Sequence, residues 1–353
     1  GTNVLTLPGG DCPDCPECPD CPECPEGGGP AVVSSHIGGA VQSGVTINGK
    51  TYDIYTFTEV TTIASVKLSD EALERIDDPE VIAAVEASDS AEDLIAEYGD
   101  VLTDSLVVMP ASDPGLSMTF SKAGIVDVLV VGGGAGTFPN SGGGGAGGVL
   151  TLVNGFAPEG TVNITVAQGG SGTTGAAGGT GYSSHFGPYY APGGSAPLDR
   201  KNPEAQGGSG AGGSYGSYAG TYGVPGLGND GGKGASTGAC GGGGGATAPG
   251  GDGTGTSPGA SGGAGGDGQD ISEFIGQAPG TTVVGGGGGG WGNGSLGQGG
   301  AGGGGNGGTG GGNAGNVGAL PGEANTGGGA GGDGWQTRGQ EGGSGIVIVR
   351  VEV

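Results

Sequence analysis

Few side chains in this 353-residue chain could do covalent or acid–base chemistry. Six are cysteines. Cys12, Cys15, Cys18, Cys21 and Cys24 recur at every third position, each followed by proline and then by Asp or Glu, whereas Cys240 stands alone beside a glycine run. The histidines are His36 and His185. Aromatic rings gather where glycine runs are interrupted: Tyr189 and Tyr190, then Tyr215, Tyr218 and Tyr222, then Phe274, Trp291 and Trp335. Tyrosine mixed with serine and glycine, as at 214–222, is the composition of adaptable binding loops. Tyrosine and tryptophan also dominate interface hot spots. These eight rings are therefore the candidate ligand-binding residues. The alternative is that they cap segment ends or seal a contact between protomers.

The cysteine triplets carry a geometric consequence. Proline at every third position favours polyproline II, with three residues per turn and a 3.1 Å rise, so all five thiols fall on one edge. Successive cysteines would stand roughly 9 Å apart, beyond the ~7 Å over which a disulfide can join two Cα positions. Neighbours within one rod cannot pair, and the expected partners lie on other chains. A parallel homo-oligomer, a trimer in the simplest case, would face its cysteine edges towards a common axis, as thiols or as inter-chain disulfides. A metal or iron–sulfur site shares the C-x2-C spacing, but a proline-locked rod cannot fold thiolates around one cluster. A solvated acidic rod is the remaining reading.

Catalysis is poorly supplied. Cys240 reads as a small packed residue, and the carboxylates at 70–98 read as solvated helix faces. The strand leading into Gly132 invites a dinucleotide reading, but the G-x-G-x-x-G count meets Thr137 at its last position. Phe138-Pro139 follows where a helix N-terminus should face the pyrophosphate. No enzyme, cofactor or metal is expected. The formal charge of −26 opposes phosphate-backbone binding and adsorption to anionic lipid. No run approaches the ~20 apolar residues of a membrane span, and no signal peptide is visible. The chain opens at Gly1 rather than methionine, so a longer parent sequence is expected.

The elements that must position these residues separate by composition. Residues 1–30 form the cysteine rod. Residues 31–126 read as a small α+β domain. Its strands are expected at Val45 to Ile47, Thr51 to Val60, Ile63 to Leu68, Ser105 to Met109 and Leu116 to Phe120, with an Asn48-Gly49 hairpin turn. An acidic helical insertion falls between them, in which Ser69 caps residues 70–76, Pro79 opens a second helix and Asp89 or Ser90 caps Ala91 to Tyr98. Residues 127–353 are the glycine field. Ninety-nine glycines among 353 residues is roughly four times the average usage, and no collagen-like register persists. Strands bracket the field, at Val126 to Val131 and Ile346 to Val353, and a strand pair at 149–153 and 161–167 lies within it. A disordered linker needs no such frame. Ordered glycine can adopt a three-per-turn extended helix whose N–H and C=O groups all point outward, and such helices could stack through lateral backbone bonds. The fold class expected is mostly β and irregular: a polyglycine II sandwich framed by strands.

The run Asp127 to Gly134, the pair Gly147-Gly148 before Val149, the strand Thr161 to Gly170, the element Ser183-Ser184-His185-Phe186-Gly187 and the ending Gly342 to Arg350 together resemble the glycine-rich domain of bacteriophage tail-fibre and minor tail proteins. The resemblance covers about 127–353. Tyr52 to Thr58 is similar to a strand often found upstream in that family; the cysteine rod and helical insertion have no counterpart. The resemblance implies a homo-oligomeric virion protein at a tail tip or fibre, extracellular, non-enzymatic and joined to other tail proteins. It also implies loops that bind a bacterial surface receptor, with no nucleic acid and no membrane insertion. A purely structural fibre component, or a bacterial extracellular glycine-rich protein, is the alternative. The acidic charge predicts that attachment to an anionic envelope weakens at low ionic strength unless divalent cations bridge the surfaces.

Overall fold

A computed structural model describes residues 4–6, 29–60, 65–68, 106–109, 115–175, 177–198, 206–310, 317–334 and 338–353. The chain divides into two units, one built from residues 1–60 with 116–353 and the other from 61–115. The strands in chain order are β1 (Val4–Thr6), β2 (Val32–Ile37), β3 (Ala40–Ile47), β4 (Lys50–Phe57), β5 (Ser65–Leu68), β6 (Leu106–Met109), β7 (Ser117–Lys122), β8 (Gly124–Val131) and β9 (Val149–Ala157). They continue with β10 (Gly160–Thr165), β11 (Ser184–Phe186), β12 (Tyr189–Ala191), β13 (Gln206–Gly207), β14 (Tyr222–Gly223), β15 (Gln269–Asp270), β16 (Val283–Val284) and β17 (Ile346–Glu352). The described residues are thus mostly β and irregular. In the smaller unit, β5 and β6 pair antiparallel. The cysteine triplets and the expected helices lie outside the described residues.

The larger unit is framed by a six-stranded sheet in the order β1-β9-β8-β17-β4-β3 and a five-stranded sheet in the order β12-β11-β10-β7-β2. Strands from both sides of residue 127 share these sheets. The boundary expected between 126 and 127 falls inside β8: β4 pairs with β17 and β7 with β10, and β3 and β2 add to β4 and β7. Alternation sorts the side chains of β8 and β17. Val128, Val130, Val347, Val349 and Val351 face the second sheet and pack on Phe120, Val162, Ile164 and Phe186. Leu129, Val131, Ile346 and Ile348 face the other way, onto Ile271, Phe274 and Val284 of the 269–284 segment. Covered on both faces, these strands must be continuously apolar. The hairpin turn between β3 and β4 has Asn48 and Gly49 at φ 50° and 81°, the left-handed pair of a type I′ turn.

At one end of the six-stranded sheet the strands run directly into glycine: Val131 into Gly132, Gly148 into Val149, Gly345 into Ile346. The glycine segments that follow bond to one another with a repeat of three. Gly143 and Ala146 donate to Gly241 and Gly244, Gly144 and Gly147 to Ala330 and Gly327, and Gly145 and Gly148 to Ser195 and Pro192. In return Gly212 and Ser209 donate to Gly143 and Ala146, Ala135 and Gly132 to Gly145 and Gly148, and Gly288 to Gly144. Successive residues thus address different neighbours, and every third returns to the same one. Residues 240–246 and 285–291 bond in the same manner on all sides. Such an approach excludes side chains. A Cβ added at Gly143 would meet Gly288 O at 2.0 Å, and at Gly288 it would meet Ala330 O at 1.9 Å.

Outer segments relax this demand at every third position, where a side chain can point to solvent. The exposed residues there are Asp230 and Lys233, Ala264 and Asp267, Gln298 and Ala301, Val317 and Leu320, and Arg338 and Glu341.

Candidate functional site

Bonding register fixes which loops share an end of the glycine array. Residues 132–137 lead away from β8, and 142–148 return to β9. Residues 241–244 pair in parallel with 143–146, so they too run towards the sheet, and 285–291, antiparallel to 240–246, run away from it. Followed through the array, this alternation gathers the 184–191 hairpin, the turn at 222–228 and the 269–284 segment at the sheet end. It gathers residues 138–141, 214–219, 235–239, 254–261 and 292–296 at the far end.

The eight candidate rings divide accordingly. Tyr189, Tyr190, Tyr222 and Phe274 stand at the sheet end; Tyr215, Tyr218 and Trp291 stand at the far end. Trp335, like Cys12, Cys15, Cys18, Cys21 and Cys24, lies outside the described residues.

At the sheet end two of the four rings are tied into the framework. The Tyr189 hydroxyl accepts from Phe156 N at 2.9 Å and donates to Phe156 O at 3.1 Å, and its ring stacks on Phe186. Phe274 is buried. The Arg350 guanidinium lies 4.3 Å from its ring centroid and 4.9 Å from that of Tyr52. Arg350 Nη1 donates to Phe274 O at 3.0 Å, while Nε donates to Asp127 Oδ2 at 2.8 Å. Asp127 Oδ1 in turn accepts from Asn154 N at 2.7 Å. Sequence reasoning missed this clamp although it left a signal: a lone acid in V-D-V-L-V-V and a lone base in I-V-I-V-R-V, two buried strands in which unpaired charge is costly. Tyr222 is exposed. Tyr190 is 54% exposed and stacks on His185 at 5.8 Å. His185 borders an open groove of about 540 Å³ with Thr161, Asn163 and Thr165. Burial holds the imidazole pKa below its ordinary value, so the ring is neutral at pH 7.

At the far end four loops are cross-tied. Gly216 N and Ser217 N donate to Ala235 O; Asn293 N donates to Gly238 O, and Gly294 N to Ala260 O. Asn293 Nδ2 donates to Ser257 Oγ at 2.9 Å, and Ser295 Oγ to Ser261 Oγ at 2.8 Å. Tyr215 meets the buried Trp291 edge-on at 6.0 Å. Tyr218 is 40% exposed at the tip of its loop, which turns through left-handed backbone at Gly216 and Ser217. The Trp291 Nε1 and Ser214 Oγ atoms are buried without a hydrogen-bond partner. Cys240 is buried beneath these loops; its thiol donates to Asn140 O at 3.4 Å, and desolvation pushes its pKa up to about 12. A thiol so fully protonated at neutral pH is no nucleophile.

Among the described residues no cluster of His, Cys, Asp and Glu is arranged to hold a metal, and no helix is long and apolar enough to cross a membrane. Residues 114–352 match the model of the family described as a glycine-rich domain, and the chain belongs to that family. No curated protein matches the chain.

Proposed function

We propose that this member of the glycine-rich domain family is a bacteriophage tail-tip or tail-fibre protein that attaches the virion to its host. In this reading the glycine segments are polyglycine II helices packed as a sandwich. The molecule is a non-enzymatic homo-oligomer, a trimer joined through the cysteine rod and anchored to other tail proteins. Its receptor site is the far end of the array, where Tyr215 and Tyr218 are carried. The sheet end, continuous with the framework, faces the virion.

One observation carries the reading above the others. Four loops distant in sequence are brought to one end of a glycine-rich array and tied to one another, so that an exposed tyrosine stands on a rigid, composite surface. Rigid loops lose little entropy on binding. The loops bond to one another and meet the array at its outer ends, where Tyr218 O accepts from Gly234 N and Ser295 O from Gly262 N, and their serine, threonine, tyrosine and glycine composition suits recognition.

The test is direct. The intact, fluorescently labelled protein is titrated onto a panel of bacteria beside a variant whose residues 214–224 are replaced by glycine and serine. Saturable, strain-selective binding that disappears in the folded replacement is the expected result. Binding to no strain, by material shown to be folded and oligomeric, would overturn the adhesin reading in favour of a purely structural fibre component.

A further inference from the structure

We infer that the far-end surface recognises an uncharged glycan. The inference rests on the adhesin reading above and names the chemistry of its receptor.

In a chain with 35 acidic and 9 basic residues, the loops 138–141, 214–219, 235–239, 254–261 and 292–296 contain no Asp, Glu, Lys, Arg or His. A soluble surface ordinarily carries charge on roughly a quarter to a third of its residues. Neighbouring charges stand off or are covered. Lys233 and Asp252 lie below the loops on outer segments, where Lys233 N donates to Asp252 Oδ1, and Asp333 is buried, its Oδ1 accepting from Gly334 N. Among the described residues these far-end loops thus carry no charge.

What the surface offers instead is hydroxyls and a ring. Ser217, Ser236, Thr254 and Thr256 are exposed, and their hydroxyls bond to none of the described residues. Each hydroxyl can donate once and accept twice, which matches a sugar, whose own hydroxyls do both. Tyr218 presents an exposed ring beside them, a platform for the apolar C–H face of a pyranose. An anionic receptor, such as a phosphorylated core saccharide, would lose water on binding here and gain no counter-charge, which is costly. A protein receptor would call for a cluster of aromatic, arginine or methionine anchors; among the described residues of these loops Tyr218 is the one exposed ring, and Trp291 is 5% exposed. Because the loops are cross-tied, the hydroxyls are held at fixed spacing and can be selective among sugars.

The experiment uses the full-length protein and a bacterial strain that it binds. Cells are treated separately with periodate, which cleaves vicinal diols of surface sugars, and with protease; polysaccharide extracted from the same strain serves as a soluble competitor. The expected result is binding abolished by periodate, unchanged by protease and inhibited by the polysaccharide. Affinity for the isolated polysaccharide should be independent of salt. Tyr218→Ala, checked for an unchanged melting temperature, should weaken binding about tenfold, whereas Tyr222→Ala at the sheet end should not. Binding abolished by protease and spared by periodate would overturn the glycan inference while leaving the adhesin reading intact. A steep salt dependence with the isolated polysaccharide would overturn the uncharged class. Failure to bind any strain would remove the adhesin reading and this inference with it.

Discussion

Placing a single methyl group in the middle of the glycine array should damage it more than most core substitutions. In Gly243→Ala the new Cβ would lie 2.0 Å from Gly144 O, 2.6 Å from Gly144 C and 3.1 Å from Gly143 O. Every obstructing atom is backbone, so no side chain can rotate away, and the two segments must part by about 1.4 Å to reach ordinary contact. The bonds that join them are Gly143 N to Gly241 O and Ala146 N to Gly244 O. A buried backbone group left unpaired costs about 1–3 kcal/mol, and overpacking strain adds about 1–3 kcal/mol. The expected loss is about 2–6 kcal/mol. Gly318→Ala is the internal control. Nothing lies within 4 Å of its Cβ and its φ is outside the left-handed range, so it should be neutral or stabilise by up to about 1 kcal/mol through the unfolded chain. Urea unfolding of the pair is the assay, and a Gly243→Ala protein that cannot be obtained folded while Gly318→Ala can would count on the same side. Gly243→Ala within about 1 kcal/mol of the parent would refute the close-packed array.

Other perturbations follow from the same structure. Arg350→Met strands the Asp127 carboxylate, 8% exposed, on the sheet face covered by the 269–284 segment; it should cost about 3–5 kcal/mol, and adding Asp127→Asn should recover part of that loss in a double-mutant cycle. Cys240, with its pKa raised to about 12 by burial, should resist maleimide at pH 8 in the native protein and react once urea unfolds the array; peptide mapping separates it from the cysteine triplets, and rapid native labelling would contradict its burial. His185 has its folded pKa lowered by desolvation from 6.5. Its contribution to stability is therefore complete above the unfolded value and declines as pH falls through the folded one; a loss below pH 6.5 that is missing in His185→Gln is expected. Attachment to whole cells should strengthen as salt screens the −26 charge, and a cell-binding affinity unchanged by salt would exclude long-range repulsion.

The frame was legible because its signals are local. The Asn48-Gly49 turn, the β-branched runs at 126–131 and 346–353, and the 149–153 and 161–167 pair all appear within two to four residues of where they were read. The change of period was legible too, since alternation in β10 gives way to a repeat of three at Gln168 and Ser171. Two things were hidden. The β2 strand and the β11–β12 hairpin depend on partners far away in the chain rather than on their own composition. The fate of each ring depends on which end its segment reaches, and a glycine run reads the same in either direction. Trp291 and Tyr218 therefore look equivalent in sequence, yet one is buried beneath the far-end loops and the other stands exposed among them.

That ambiguity also explains how the array could serve recognition. An ordinary core ties sequence to stability through side-chain packing, so changes at a binding surface propagate inward. Here the interior segments meet backbone to backbone, and their stability depends on glycine at fixed positions rather than on complementary side chains. Loops at the far end bond to the outer ends of these segments, as at Gly234 N and Gly262 N, while interior groups such as Gly143 N and Gly288 N bond to other segments. A Cβ at Gly259, within the 254–261 loop, meets nothing within 4 Å, whereas at Gly242, in the segment beneath, it meets Ala264 O at 2.0 Å. Substitution is thus forbidden at Gly242 and open at Gly259, one residue class giving opposite answers within the same unit. A scan of alanine replacements along 240–262 should reproduce that step in unfolding free energy. A smooth gradient would mean that the loops share in holding the array together, and the far end would then be framework rather than a surface free to be shaped by a receptor.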